Sequence, residues 1–431
     1  MSFHVTSSTP PTQSSLPGSD DITRVELDNG IVLLVRTNFN SPSVVINGYL
    51  DVGGLFDPDE KLGLADFTAS ALLRGTAVRD FQGIYDALES VGASLSLGSG
   101  THSTSFSGKA LAEDLELLLM LLSEALRQPV FPVEQVERLR AQLLTGLAIR
   151  AQDTGEMASL TFDQVVYDGH PYSRPDDCYP ATIQAITRQD LIEFHQRCYG
   201  PHGMVLTVVG AVQPERAVEI LSRLLADWQN PEQPGSPSLP PTIPLGQVVR
   251  RHTPISGKSQ ADILLGVAGP ERRSSDFLSA SLGNSILGQF GMYGRIGDVV
   301  REQAGLAYYA YSGLAGGPGP GPWSISAGVD PANVERAIDL IVAEVGRFVS
   351  EPVSDDELED SRANFIGRLP LSLESNAGVA GALVNLERYQ LGLDYYRQYA
   401  SLLRSITRAD ILEAAQRYLA PDKLWIAVAG P

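Results

Sequence analysis

Cysteine, histidine and basic residues are all scarce in this chain, and so are long apolar runs. The 431 residues include two cysteines, Cys178 and Cys198, with neither a C-x-x-C spacing nor clustered histidines beside them. That excludes a zinc ribbon and a dithiol redox centre, and two plain thiols are expected. Lys and Arg number 32 against 51 Asp and Glu, a net charge of −19. Without clustered positive charge the chain is not a nucleic-acid binder, and its partners are expected to be basic. The longest apolar run, Leu117 to Leu122, falls far short of the roughly 20 residues that cross a bilayer, so no membrane partner is expected. Residues 1–21 lack the basic start and apolar centre of a secretory signal. They read as a disordered lead-in, and the protein as cytoplasmic, with a periplasmic or processed form the alternative.

What is present is core-forming material and a repeat. Hydrophobic residues make up 43% of the chain, enough for large cores. Ile186 to Gly210 (ITRQDLIEFHQRCYGPHGMVLTVVG) aligns without a gap with Ile406 to Gly430 (ITRADILEAAQRYLAPDKLWIAVAG), at an offset of 220 residues. Each copy places a Thr, Thr187 or Thr407, before a helical stretch with Asp three residues on, a capping signal. A Pro stop follows, and then an apolar strand that ends in Gly. Phe131 to Ala141 and Pro352 to Ala363 echo each other more weakly. The fold class is α+β: two duplicated domains, each a mostly antiparallel sheet packed by helices, over 22–227 and 247–431. Trp228 to Gly246, rich in Pro, Gly and Ser, is the linker.

Within the first domain, Arg24 to Arg36 alternates around Asp28-Asn29-Gly30, a hairpin signal, and Ser43 to Val52 is a further strand. Leu64 to Leu73, Phe81 to Val91 and Ala112 to Leu126 read as helices, with a Ser/Gly-rich hairpin over Ser94 to Ser107. Val136, Leu139, Leu143, Leu144 and Leu147 share one helical face. None of the six histidines stands at i, i+3 or i, i+4 to another with a carboxylate between, so each reads as a surface or capping residue. The run Gly313 to Pro322 lacks the Lys of a phosphate loop, and its prolines remove amides that would bind phosphate. It reads as a flexible hairpin connection.

Gly63 to Thr76 (GLADFTASALLRGT), the HPYSRP run at His170 to Pro175 and the YGP…VVG ending resemble the pitrilysin/insulinase (inverzincin) family of zinc metallopeptidases. The corresponding helix in that family reads approximately GLAHFLEHMLFKGT. There, two His at i and i+4 bind zinc, a Glu at i+3 activates water, and a distant Glu completes the shell. Here those positions hold Asp66, Ala69, Ser70 and Gly146. Asp66 is expected to serve as a helix-terminal charge. Gly146, on the Leu139/Leu143 face, suggests close packing or drift. This chain is therefore expected to carry no metal and no cofactor of its own.

Gly291 to Ser312 (GMYGRIGDVVREQAGLAYYAYS) resembles the family's second-domain motif, in which an Arg and a Tyr seven residues later reach across to the zinc site. Arg301 and Tyr308 have that separation and are the catalytic candidates, both hydrogen-bond donors suited to a peptide carbonyl that becomes an oxyanion. The resemblance implies a processing-peptidase-like, non-zinc subunit of a heterodimeric metalloendopeptidase, inactive alone. It would serve a homologous zinc-bearing partner subunit on an extended, basic peptide substrate. A catalytically inactive scaffold or peptide-binding homologue is the alternative.

Overall fold

In a computed structural model of the chain, the described residues are 16–176, 178–243, 246–289 and 294–431. The first half supplies β1 (Thr23–Glu26), β2 (Val32–Thr37), β3 (Ser43–Leu50), β4 (Ser94–Ser99), β5 (Thr104–Leu111) and β6 (Val205–Gly210). Its helices are α1 (Leu64–Ala71), α2 (Phe81–Glu89), α3 (Leu115–Arg127), α4 (Val133–Arg150), α5 (Thr154–Val166), α6 (Pro180–Ala185), α7 (Arg188–Cys198) and α8 (Pro214–Leu225). The second half supplies β7 (Val249–Pro254), β8 (Ala261–Ala268), β9 (Ala307–Leu314), β10 (Pro322–Val329) and β11 (Trp425–Gly430). With them come α9 (Phe277–Gly288), α10 (Gly294–Gly297), α11 (Val334–Ser350), α12 (Asp355–Ser372), α13 (Asn376–Arg388), α14 (Tyr395–Ser405) and α15 (Arg408–Tyr418). None of the helices among the described residues is long and apolar enough to cross a membrane.

The duplication in sequence is a duplication in topology. The first sheet runs β1-β2-β6-β3-β5-β4 and the second β7-β11-β8-β10-β9, the same order without a counterpart of β1. In each, the strand that ends the repeat pairs parallel to one neighbour and antiparallel to the other: β6 to β2 and β3, β11 to β7 and β8. The capping signals form as read. The Thr187 and Thr407 side chains accept from the Asp190 and Asp410 amides, and each Asp reaches back to its Thr. The hairpin between β1 and β2 turns at Gly30, whose φ of +88° is the left-handed conformation that glycine adopts without a Cβ penalty.

The central strands are buried on both faces, which explains why β6 and β8 read as nearly continuous apolar runs, whereas β5, towards one edge, alternates buried and exposed residues. One face of the first sheet packs with residues of α1, α3, α4, α7 and α8. Its other face, at Leu34, Val45, Val205 and Val209, is covered by Val379, Ala380 and Leu383 of α13, from the second half. Reciprocally, Ala158, Phe162 and Val166 of α5, from the first half, cover Leu264, Ala427 and Ala429 of the second sheet. Each half thus lends one helix to the other.

The lead-in expected over residues 1–21 is ordered at its end. Ser19 donates through its amide and hydroxyl to Asp394, Asp21 pairs with Arg36 at 2.7 Å, and Arg397 bonds the Leu16 carbonyl. The reason is electrostatic: Asp21 and the Leu16 carbonyl of the lead-in meet Arg36 of β2 and Arg397 of α14, while Ser19 donates to Asp394 just ahead of α14. Residues 1–15 lie outside the described residues. The linker from Trp228 carries neither helix nor strand over its described residues and is pinned to the first half by Asn230, whose amide donates to the carbonyls of Gln196, Arg197 and Tyr199. Cys178 and Cys198 are buried thiols.

Candidate functional site

The helix α1 is set by residues outside it. Gly63, at φ +90°, turns the chain into the helix, and the buried Asp57 carboxylate accepts from the amides of Gly63 at 2.7 Å and Ala65 at 2.8 Å. Burial pushes the Asp57 carboxyl up to about 7, against the pull of those amides. Sequence reading missed Asp57, which caps α1 from six residues before Gly63. Its only local signal was an acidic residue in a turn-rich stretch ahead of the helix. Asp66 lies in the first turn of α1, as expected for a charge that favours the helix dipole.

Asp66 and Ser70 are half-exposed on α1, whereas Ala69 between them is buried. Gly146 is exposed on α4, and a Cβ built there would meet nothing within 4 Å. The close packing considered for Gly146 is therefore corrected: the residue faces open space, one position off the Leu139–Leu147 stripe. A carboxylate, a methyl, a hydroxyl and a bare Cα are the wrong donors for zinc, which takes nitrogen, sulfur or several converging carboxylates. Among the described residues no group of three His, Cys, Asp or Glu side chains converges to hold an ion. The residues at this position do not fit the metal.

The Arg/Tyr motif is built on a turn and an irregular edge strand. After α10 the chain widens into a π-helical turn over Asp298–Gln303 that carries Arg301. Gly305, at φ +64°, ends it, with its amide on the Arg301 carbonyl at 3.1 Å and the Leu306 amide on the Val300 carbonyl at 3.0 Å. The chain then enters β9, the edge of the second sheet. Gly328 of β10 faces Tyr309, but the next residue, Val329, faces Ala307. Tyr308 is the extra residue of this bulge, and it stands 84% exposed. A bulge bends the strand and re-aims the side chain, which is why a large aromatic here turns to solvent. Arg301 keeps 29% of its side chain exposed, its guanidinium 3.7 Å from the Glu302 carboxylate. The fold therefore puts Arg301 and Tyr308 on the two sides of one turn. Gly291–Tyr293, the start of the motif, lie outside the described residues.

A cavity of about 300 Å³ between the halves was not legible in the sequence. It is walled by His102, Asp163, Tyr167, Tyr172 and Asp176 of the first half and by the 315–319 stretch of the Gly/Pro run. That run is the β9–β10 connection, as read, but it is held rather than loose: Tyr167 donates to the Pro320 carbonyl at 2.7 Å. Burial pushes Asp163 up to about 7 and lowers His102 to about 4, so His102 is a neutral partner of the Tyr172 hydroxyl. The reading of each histidine as a surface or capping residue holds for His170, which caps the Pro171–Ser173 turn with its Nδ1 accepting from the Tyr172 amide, although the ring is buried. It is corrected for His102 and for the largely buried His195, which bonds the Leu126 carbonyl, because each of these rings fills a packed position.

Comparison with known proteins places these features in one lineage. Residues 32–165 match the family model described as insulinase (peptidase family M16), and residues 185–365 match that described as the peptidase M16 inactive domain. Together the two models span most of the chain, which belongs to the M16 (insulinase/pitrilysin) peptidase family. It is 26% identical over 424 residues to an uncharacterized zinc protease of Mycobacterium leprae, covering 96% of this chain and 92% of that one. It is 24% identical to the mitochondrial-processing peptidase subunit beta of Saccharomyces cerevisiae, over 85% of this chain and 81% of that one. Among solved structures, a peptidase M16 inactive domain from Pseudomonas fluorescens superposes with a TM-score of 0.88 at 25% identity, covering 95% of this chain and 98% of that one. A protease from Helicobacter pylori shares the fold at a TM-score of 0.88 and 18% identity, over 96% and 100% of the two chains.

Proposed function

We propose that this chain is the non-zinc subunit of a heterodimeric metalloendopeptidase and supplies Arg301 and Tyr308 in trans to the peptide bond cleaved at a homologous partner's zinc. The observation that carries the reading is Tyr308, turned outward by its bulge beside the Arg301 turn, in a chain whose α1 carries neither histidine nor glutamate. The guanidinium and the phenol are donors for the scissile carbonyl oxygen, where negative charge grows as water adds. An extended, basic substrate fits an acidic chain, and the Asp163 and Asp176 carboxylates at the interdomain cavity give a cationic side chain its counter-charge. Because Asp163 is held near 7 by burial, binding of a basic peptide strengthens as pH rises through that value.

The test is steady-state kinetics of the chain reconstituted with a homologous chain that carries an intact H-x-x-E-H. Tyr308→Phe removes one hydroxyl, so kcat falls roughly 10²-fold while the complex persists on gel filtration. Arg301→Ala costs at least as much and raises KM if the guanidinium also holds the substrate backbone. Full turnover from an intact complex carrying both substitutions would leave the scaffold or peptide-binding reading instead. The chain alone should hold no stoichiometric zinc by elemental analysis and cleave no unfolded peptide.

A further inference from the structure

The residue after Tyr308 belongs to an arrangement that the donor pair does not itself use. Ala429, Asp262, Gly328 and Tyr309 form one row across β11, β8, β10 and β9, with their side-chain positions on one face. Tyr309 reaches over Gly328 and donates its hydroxyl to Asp262 Oδ1. A Cβ on Gly328 would lie 2.5 Å from Tyr309 Cε1 and 3.1 Å from Asp262 Oδ1, so only glycine leaves that path open. Asp262 is 4% exposed. The Gln260 amide donates to the same oxygen at 3.0 Å, and the Thr154 hydroxyl, in the first turn of α5, donates to the other. Three donors from three segments satisfy one buried carboxylate. Burial, reinforced by the bond to Asp262, pushes the Tyr309 hydroxyl up and keeps it a donor.

The bulge starts at this row, since Tyr309 is the last residue in register before Tyr308 is left over. The direction of a bulged residue follows from the pairing of its neighbours. We propose that Asp262 is a positioning residue: by holding Tyr309 across Gly328 it fixes the bulge and hence the direction in which Tyr308 leaves the edge strand. Through Thr154 it also ties that direction to α5 of the first half. The catalytic consequence rests on the function proposed above, whereas the conformational one does not.

The experiment has two arms. Hydrogen exchange of the whole chain, read by mass spectrometry over Leu306–Ser312, should accelerate about tenfold in Tyr309→Phe and in Asp262→Asn, with Ser324–Ala327 in β10 unchanged. Should Asp262→Asn fail to fold, Tyr309→Phe decides alone, since it removes only the hydroxyl. In the reconstituted complex, Tyr309→Phe should lower kcat about tenfold with KM held, and add nothing to Tyr308→Phe, because both act through one hydroxyl. Exchange at the Leu306–Ser312 segment equal to the unsubstituted chain would overturn the proposal. So would a kcat loss that adds in full to that of Tyr308→Phe. A Tyr308→Phe complex with full kcat would instead sink the catalytic reading, and the exchange arm would still decide the role of Asp262.

Discussion

The first and second halves repeat one topology, yet they diverge where a peptidase works. In the first half, α1 has its entry turn, its cap from Asp57 and a buried face, carries no histidine, and has Ala69 sealed into the core, while Gly146 of α4 is open to solvent. In the second half, the turn that ends at Gly305 carries the partly exposed Arg301, and the bulge on the edge strand turns Tyr308 to solvent. Caps and core contacts are held in both halves by stability, whereas exposed polar side chains are not, so the two halves share their packing and differ at the surface.

The comparison is sharpest at the exchanged helices, because each half is stabilised by the other. Phe162→Ala, in the first half, should cost about 3–5 kcal/mol. The damage should appear in the second, as lost hydrogen-exchange protection in β8 and β11 and not in β3 or β5. Protection lost first in the first sheet would break the reciprocal picture.

Next in size are Ala69 on α1 and Gly146 on α4, which differ in burial, so that one should respond strongly to an introduced carboxylate and the other should not. Ala69→Glu inserts a charge at a buried site and should destabilise by about 3 kcal/mol in urea unfolding. Gly146→Glu, facing open space, should be tolerated without loss.

The acids that cap the two halves should titrate with opposite signs. Arg295 donates to both oxygens of Glu357, which completes the capping box of α12 by accepting from the Ser354 amide, and holds it at about 2. Its folded value lies below its ordinary 4.5, so its stabilisation is complete above about pH 5 and is lost as pH falls from 4.5 towards 2. Screening at this partly exposed pair limits it to the order of 1 kcal/mol. Asp57 is raised from 3.8 to about 7, so its contribution is present at acid pH and lost as pH rises through 7. Melting curves against pH should flatten below 4.5 in Glu357→Gln and between 4 and 7 in Asp57→Asn.

The smallest expected effect is a gain. Gly146→Ala, in a helix interior with room for the methyl group, should stabilise by about 0.5–1 kcal/mol in the same urea assay. A loss would mean that the exposed face of α4 is covered.

Much of this was legible in the chain. The repeat gave the shared topology, the Thr/Asp pairs at 187/190 and 407/410 gave two helix starts, and the hairpin at Gly30 and the β9–β10 connection appeared where turn residues cluster. The positions of Asp66, Ala69, Ser70, Arg301 and Tyr308 on helix, turn and strand were legible for the same reason, since capping, turns and periodicity are local. What depended on distant residues was not. Asp57 caps a helix it does not adjoin, His102, Asp163 and Tyr172 meet a Gly/Pro loop from the other half, and residues 16–21 dock on α14.

The family and the duplicated α+β elements could be read from the amino-acid sequence alone, because residue identity and short spacing decide those. Only the tertiary structure decided that α5 and α13 change places between halves, that Asp262 joins Thr154 to Tyr309, and that one residue too many on β9 turns Tyr308 outward. Each of these follows from which strands lie side by side and in what register. Register is a property of paired strands, fixed by the whole packed core and by neither strand's sequence alone.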